Sequence, residues 1–234
     1  MSDFDFNAAL PARFKAVNHN KTDHARYREA QKAVEENFAD VTKEKDLEGR
    51  RKNLQIWDTK TPARWRKATL AKLPEDAGRE VLEALKNKKH SAYFTGVEGS
   101  GKTYAGYAMI RRMIGSGVIQ PSGVRVYTEA NLIELSRAGF AGRDKIQSYM
   151  DDKKTSLIML DGIGFADDYS DREALTIERI IERAYSESLP FIVTGVIDPS
   201  KWVKRLSEST EGRLQEMIGK SVFTMPERNT ESAF

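Results

Sequence analysis

The sequence contains no cysteine, which excludes disulfides and thiolate metal sites together. Histidine is nearly as scarce, and His19, His24 and His90 are too scattered to cage a metal ion. No apolar run approaches the length needed to cross a bilayer. The opening residues MSDFDFNAAL carry neither the basic flank nor the apolar core of a secretory signal, so a cytoplasmic protein without membrane contact is expected. What is present is a chain of 234 residues, 39% hydrophobic and 31% charged, long enough to bury a sizeable core.

The net charge is only +3, but it is unevenly spread. Between Arg50 and Leu73 eight bases stand against one acid, Asp58, and Trp57 and Trp65 lie among them. Such a segment suits a nucleic-acid backbone or an acidic partner, and equally a solvated connector whose tryptophans pack on the next domain.

The first twenty residues space Phe4, Phe6, Leu10 and Phe14 through polar sequence and are expected to be poorly ordered alone. From Thr22 or Asp23, Tyr27, Ala30, Val34, Phe38 and Val41 recur at helical steps on one narrow stripe. The opposite face is charged, so this helix needs a partner. Residues 1 to about 55 therefore read as a small helical arm that binds another protein, and residues 56–74 as a basic lead-in.

Beyond it strands alternate with helices, the texture of a parallel sheet covered on both faces. The pattern predicts helices at Glu75 to Lys86, Lys102 to Ile114, Ala130 to Ala138, a second short one after that, Arg172 to Ser186, Pro199 to Leu206 and Arg213 to Ile218. Five strand candidates, SAYFT, VRVYT, LIMLD, FIVTG and SVFTM, lie between or after them. Residues 75–234 are thus expected to form an α/β nucleotide-binding domain.

GVEGSGKT satisfies every specified position of the P-loop pattern and falls between a strand and a helix. Gly96, Val97, Glu98, Gly99, Ser100, Gly101, Lys102 and Thr103, with Tyr104 next in the helix, form the expected phosphate-binding set for ATP. Glycines let the backbone wrap a phosphate so that amides and a helix amino terminus face its charge. Lys102 is expected to reach the β and γ phosphates, and the Thr103 hydroxyl to bind Mg2+. Asp161, closing the strand LIMLD, supplies the second metal contact through a water. Gly162 then stands where an ATP-hydrolysing enzyme usually places a second acid.

With these residues in place, the chain resembles the AAA+ ATPases that load bacterial and phage replicative helicases, of the DnaC and DnaI type, and their relative, the transposition helper IstB. The likeness covers Thr61 to Met225: TPARWRKATL is similar to the family's lead-in, GVEGSGKT to Walker A, LIMLDGIG to Walker B, and ERIIERAYSESLPFIVTGV to the sensor 1 helix and strand. DPSKWVKRLSESTEGRLQEM resembles the segment whose arginine reaches the ATP of a neighbouring subunit. The resemblance implies a five-stranded parallel AAA+ domain, Thr194 as sensor 1 and Arg213 as an arginine finger, with Arg205 as the fallback. A finger acts across a subunit boundary, which implies self-association. It also implies single-stranded DNA contacts in the helices before Walker B, from Arg137, Phe140, Arg143 and Lys145. The arm would grip a hexameric replicative helicase.

Two departures bear on chemistry: Gly162 lacks the water-orienting acid, and Val196 falls where sensor 1 usually presents asparagine. Asp167 or Asp168 is a possible substitute carboxylate. Binding needs the P-loop and metal ligand, whereas hydrolysis also needs a positioned nucleophile, so tight ATP and Mg2+ binding with slow, partner-stimulated turnover is expected. About twenty residues follow Arg213 in this sequence, so a full helical lid is not expected. An ATP-dependent helicase loader is the leading reading. The alternatives are an IstB-like helper acting on duplex DNA and a P-loop nucleoside kinase.

Overall fold

A computed structural model of the protein describes residues 46–166 and 168–227. The chain divides into two compact units, Met1–Gly49 and Arg50–Phe234. Nearly all of the first, including the expected helix from Thr22 or Asp23, lies outside the described residues. The second unit opens in helix α1, which ends at residue 60, and continues through turns and a short 3-10 helix, Leu70–Lys72, to α2, Glu75–Lys86.

Alternation then begins: β1 Ala92–Thr95, α3 Lys102–Gly115, β2 Val124–Thr128, α4 Glu129–Arg137, α5 Gly139–Met150, β3 Leu157–Ile163, α6 Asp171–Ser186, β4 Phe191–Gly195, α7 Pro199–Val203, α8 Glu208–Ile218 and β5 Val222–Thr224. The strands form one five-stranded sheet in the order β2-β3-β4-β1-β5. Every pairing is parallel, so each connection must cross over and lay helices on the faces.

Side chains sort by the two-residue period of a strand. Ala92, Phe94, Leu157, Met159 and Ile192 point to one core with α2 and α3, while Tyr93, Ile158, Leu160, Phe191 and Val193 point to the other with α6 and α8. The basic segment is anchored to the first core by its tryptophans. Trp57 is buried 5.9 Å from the Tyr107 ring, and Trp65 stacks on the same ring at 6.1 Å, leaving Lys60, Arg64, Arg66 and Lys67 exposed. Trp202 fills the second core, 5.9 Å from Tyr93.

Three elements differ from the sequence reading. α5 is a full twelve-residue helix; Gly139 and Gly142 discourage it locally, but a Cβ at Gly142 would collide with the Leu135 carbonyl, so glycine is what lets α5 start this close to α4. α7 stops at Val203 rather than Leu206, since burying Trp202 and Val203 completes its anchoring and the next residues close tight turns. α8 starts at Glu208, five residues before Arg213.

Candidate functional site

The P-loop joins the end of β1 to α3. Gly96, Gly99 and Gly101 take φ of 140°, 77° and 97°, a backbone region that side chains disfavour. A Cβ at Gly96 would lie 2.5 Å from the Met225 carbonyl, so the loop fits only without one. Lys102 folds inward and its Nζ donates to the Val97 carbonyl at 2.6 Å. Burial lowers its pKa, opposed by the nearby charges of Glu98 and Asp161. The Ser100 hydroxyl is buried and without a partner. Tyr104 turns its side chain away: its hydroxyl accepts from the Thr69 amide at 3.1 Å, and its ring meets Trp65 edge-on. Only its main chain is left to face a phosphate.

Across from the loop, β3 delivers Asp161. Its pairing with β4 slips between Leu160 and Ile163, a bulge at Asp161 and Gly162, where Gly162 has φ 76°. Two hydroxyls converge on one carboxylate oxygen of Asp161, Thr103 Oγ1 at 2.8 Å and Thr194 Oγ1 at 2.6 Å. Thr194, only 1% exposed, in turn accepts from the Gly162 amide at 3.0 Å. The Val196 amide closes the bulge by donating to the Ile163 carbonyl at 3.1 Å.

These residues fit a magnesium nucleotide. Among the described residues no group of three or more acidic or imidazole side chains could hold a metal alone, but Mg2+ takes few protein ligands and completes its shell with water and phosphate oxygens. Asp161 and Thr103 would hold it. An orphaned Ser100 hydroxyl, a lysine satisfied only by its own loop and the first amides of α3 offer unmatched donors to an anion.

Beside this cluster lies a cleft of about 780 Å³ lined by Thr103, Asp161, Gly162, Glu129, Phe165 and the outer face of α4. Glu129 was not among the residues singled out from sequence. It is 3% exposed, and its carboxylate accepts from the amides of Gly164 and Phe165 at 3.0 Å and of Ala166 at 3.2 Å, and from the Tyr169 hydroxyl. The Trp202 indole donates to that hydroxyl at 3.2 Å. Desolvation and Glu129 push the Tyr169 phenol well above its usual range. An acid in the first turn of a helix, beside the Asp161 strand, was the available signal. A carboxylate with four donors is a clamp on the loop after β3.

Lys102, Thr103, Asp161 and Thr194 are thus gathered into one site. The two arginines considered as fingers are engaged elsewhere: Arg205 donates to the Ala166 carbonyl, and Arg213 pairs with Glu182, 5.7 Å from the Tyr185 ring. Asp168 is exposed and accepts its neighbour's amide at 2.9 Å, and Asp167 lies outside the described residues. Of the DNA candidates, Arg137 is held by Glu173 at 2.6 Å, Phe140 is 79% exposed beneath Arg143, and Lys145 lies over Tyr149.

A parallel sheet in this order, with a P-loop after β1 and an acid on β3 between β2 and β4, is the layout of a P-loop α/β nucleotide-binding fold. No protein-family model matches the sequence, nor does any curated protein at a significant level. Among solved structures, DnaI is similar with a TM-score of 0.55 and 16% identity, over 72% of this chain and 93% of that one. The DnaC helicase loader gives 0.56 and 19%, over 70% and 100%. DnaA from Aquifex aeolicus, bound to AMPPCP, gives 0.51 and 20%, over 70% of this chain and 51% of that one. At these identities the likeness shows the fold alone, the P-loop α/β fold that this chain shares with DnaI and DnaC. No helix among the described residues is long and apolar enough to cross a membrane.

Proposed function

We propose that the protein is an ATP-dependent loader of a replicative helicase, and that nucleotide acts in it chiefly as a switch. The observation that carries this reading is the pairing of a complete binding half-site with an incomplete hydrolytic one: Thr103, Thr194 and Asp161 are bonded together, while position 162 carries no side chain. Lys102 would neutralise the terminal phosphates, and Thr103 and Asp161 would hold Mg2+. The metal, when bound, withdraws charge from the phosphate oxygens. Glu129 keeps the loop after β3 in place, and Thr194 ties the Asp161 carboxylate to the Gly162 amide. None of these groups is placed as a free base for water.

Support for the loader assignment comes from the likeness to DnaC and DnaI across nearly the whole length of those chains. In this reading the first 55 or so residues hold the hexameric helicase, the α/β unit engages single-stranded DNA, and Arg213 leaves Glu182 to reach the nucleotide of a neighbouring copy. A structure of DnaA bound to AMPPCP and single-stranded DNA shares the fold, at a TM-score of 0.51.

The test measures ATP affinity and turnover, alone and with single-stranded DNA and a hexameric helicase. Tight Mg2+-dependent binding, slow basal turnover and stimulation by partners are expected. Fast turnover by the isolated protein would overturn the switch. Filaments on duplex DNA without helicase capture would overturn the loader.

A further inference from the structure

The acid missing at position 162 has a counterpart on the neighbouring strand. β2 and β3 run parallel with Thr128 in register with Asp161, and one residue on from each stand Glu129 and Gly162. Glu129, Asp161, Gly162 and Thr103 line the same cleft of about 780 Å³. The carboxylate that β3 lacks is therefore offered from the end of β2 to the same space.

Glu129 is 3% exposed, and among the described residues no cation pairs with it. A loop can be pinned by neutral acceptors without the desolvation cost of a buried charge, so that cost points to a second use for the carboxylate. Its bonding shows what the use waits on. An ionised carboxylate offers about four lone-pair positions. One oxygen accepts from the Gly164 amide and the Tyr169 hydroxyl, and the other from the amides of Phe165 and Ala166. No position is left for the proton of a water.

Three of these donors are main chain; the fourth, the Tyr169 hydroxyl, sits on a side chain that can swing away. The same segment is gripped from its far side. The Trp202 indole donates to that hydroxyl at 3.2 Å, and Arg205 donates to the Ala166 carbonyl. Displacement of α7 and the turn after it would thus be felt at Glu129.

We infer that Glu129 is the latent water-activating base of this site, occupied in this conformation by the loop after β3 and made available when Tyr169 lets go. The inference rests on the proposed nucleotide switch and gives its slow turnover a cause. In hydrolysis the freed carboxylate takes a proton from the attacking water as the water oxygen bonds to the γ phosphorus. The bond from that phosphorus to the β–γ bridging oxygen breaks, ADP leaves with the electron pair, and the proton passes to the released phosphate.

The test follows single-turnover hydrolysis of Mg2+-ATP by the full chain, counted per nucleotide bound so that a variant that loses structure does not pass for an inactive one. Tyr169→Phe removes one donor and keeps the ring. It should raise turnover about tenfold or more, part of the roughly 100- to 10,000-fold that a positioned base contributes. Adding Glu129→Gln should cancel that rise. No rise with Tyr169→Phe overturns the inference, and so does a rise that survives Glu129→Gln, since a loosened loop then acts by another route. In either case the nucleotide switch stands if the unaltered protein binds ATP tightly and turns it over slowly. Failure of the unaltered protein to bind Mg2+-ATP, or fast turnover by it, overturns the switch and the inference together.

Discussion

Gly162 has φ 76° and gives its amide to Thr194, so a carboxylate introduced there must sit on a left-handed backbone. Space is not the obstacle, because a Cβ would meet only the Phe165 ring, at 3.6 Å. Aspartate and asparagine tolerate this conformation better than other side chains. Gly162→Asp should therefore raise ATP turnover while Gly162→Asn, equally strained, should not; equal rates would show that the acid was not limiting. At Lys102 the charged form is already disfavoured by burial, so Lys102→Met should leave the melting temperature of the nucleotide-free protein unchanged or raised. The same variant should lose roughly 10- to 150-fold in ATP affinity, from about 1.5–3 kcal/mol of charged hydrogen bonding. Glu129→Gln places an amide NH2 before donors and should cost about 1–3 kcal/mol in urea denaturation; an unaltered midpoint would contradict the clamp. The places of the P-loop and Asp161 were legible because GVEGSGKT falls between β1 and α3 and the apolar run LIML leads straight to Asp161 within β3. Glu129 was not, since a lone acid after a strand announces nothing until the chain brings Gly164, Phe165 and Ala166 to it.

Helix α6 is the element whose start is most visibly built. Glu173 reaches back to the Ser170 amide at 2.8 Å and also takes Arg137, and these bonds, the amide foremost, hold its carboxyl below the usual range. A depressed carboxylate contributes stability that is fully present above its unfolded pKa and is lost as pH falls through the folded one. Glu173→Gln should thus destabilise the protein by up to about 1 kcal/mol at neutral pH. The gap from the unaltered protein should close as pH drops below about 4, and a gap constant across that range would rule out linkage. Elements with strong periodicity, such as α2, α3, α6 and the strands, could be read almost to the residue. α5 was under-read because its glycines serve a close helix approach that exists only after folding. The bulge at Asp161 and Gly162 was invisible for a related reason: it is a relation between β3 and β4, and neither strand carries it alone.

Among the described residues the two cores draw on Leu54, Trp57 and residues beyond them, and the compact division falls at Gly49. Removing residues 1–49 should leave ATP affinity within about twofold, since every phosphate-site residue remains, yet abolish helicase capture in a pull-down. Arg213→Ala should leave ATP binding alone but remove stimulated turnover, by three orders of magnitude or more if the side chain acts as a finger; an undiminished rate would return Arg213 to its pairing with Glu182. The packing of the tryptophans gives these experiments a signal of their own. Trp57 and Trp65 share the Tyr107 ring on the P-loop helix, and Trp202, behind the sheet, hydrogen-bonds the tyrosine that Glu129 holds. All three tryptophans of the chain are therefore wired to the nucleotide site from opposite sides. Their intrinsic emission, separated by replacing Trp65 or Trp202 with phenylalanine, would time when each face of the sheet responds to nucleotide, with no dye attached.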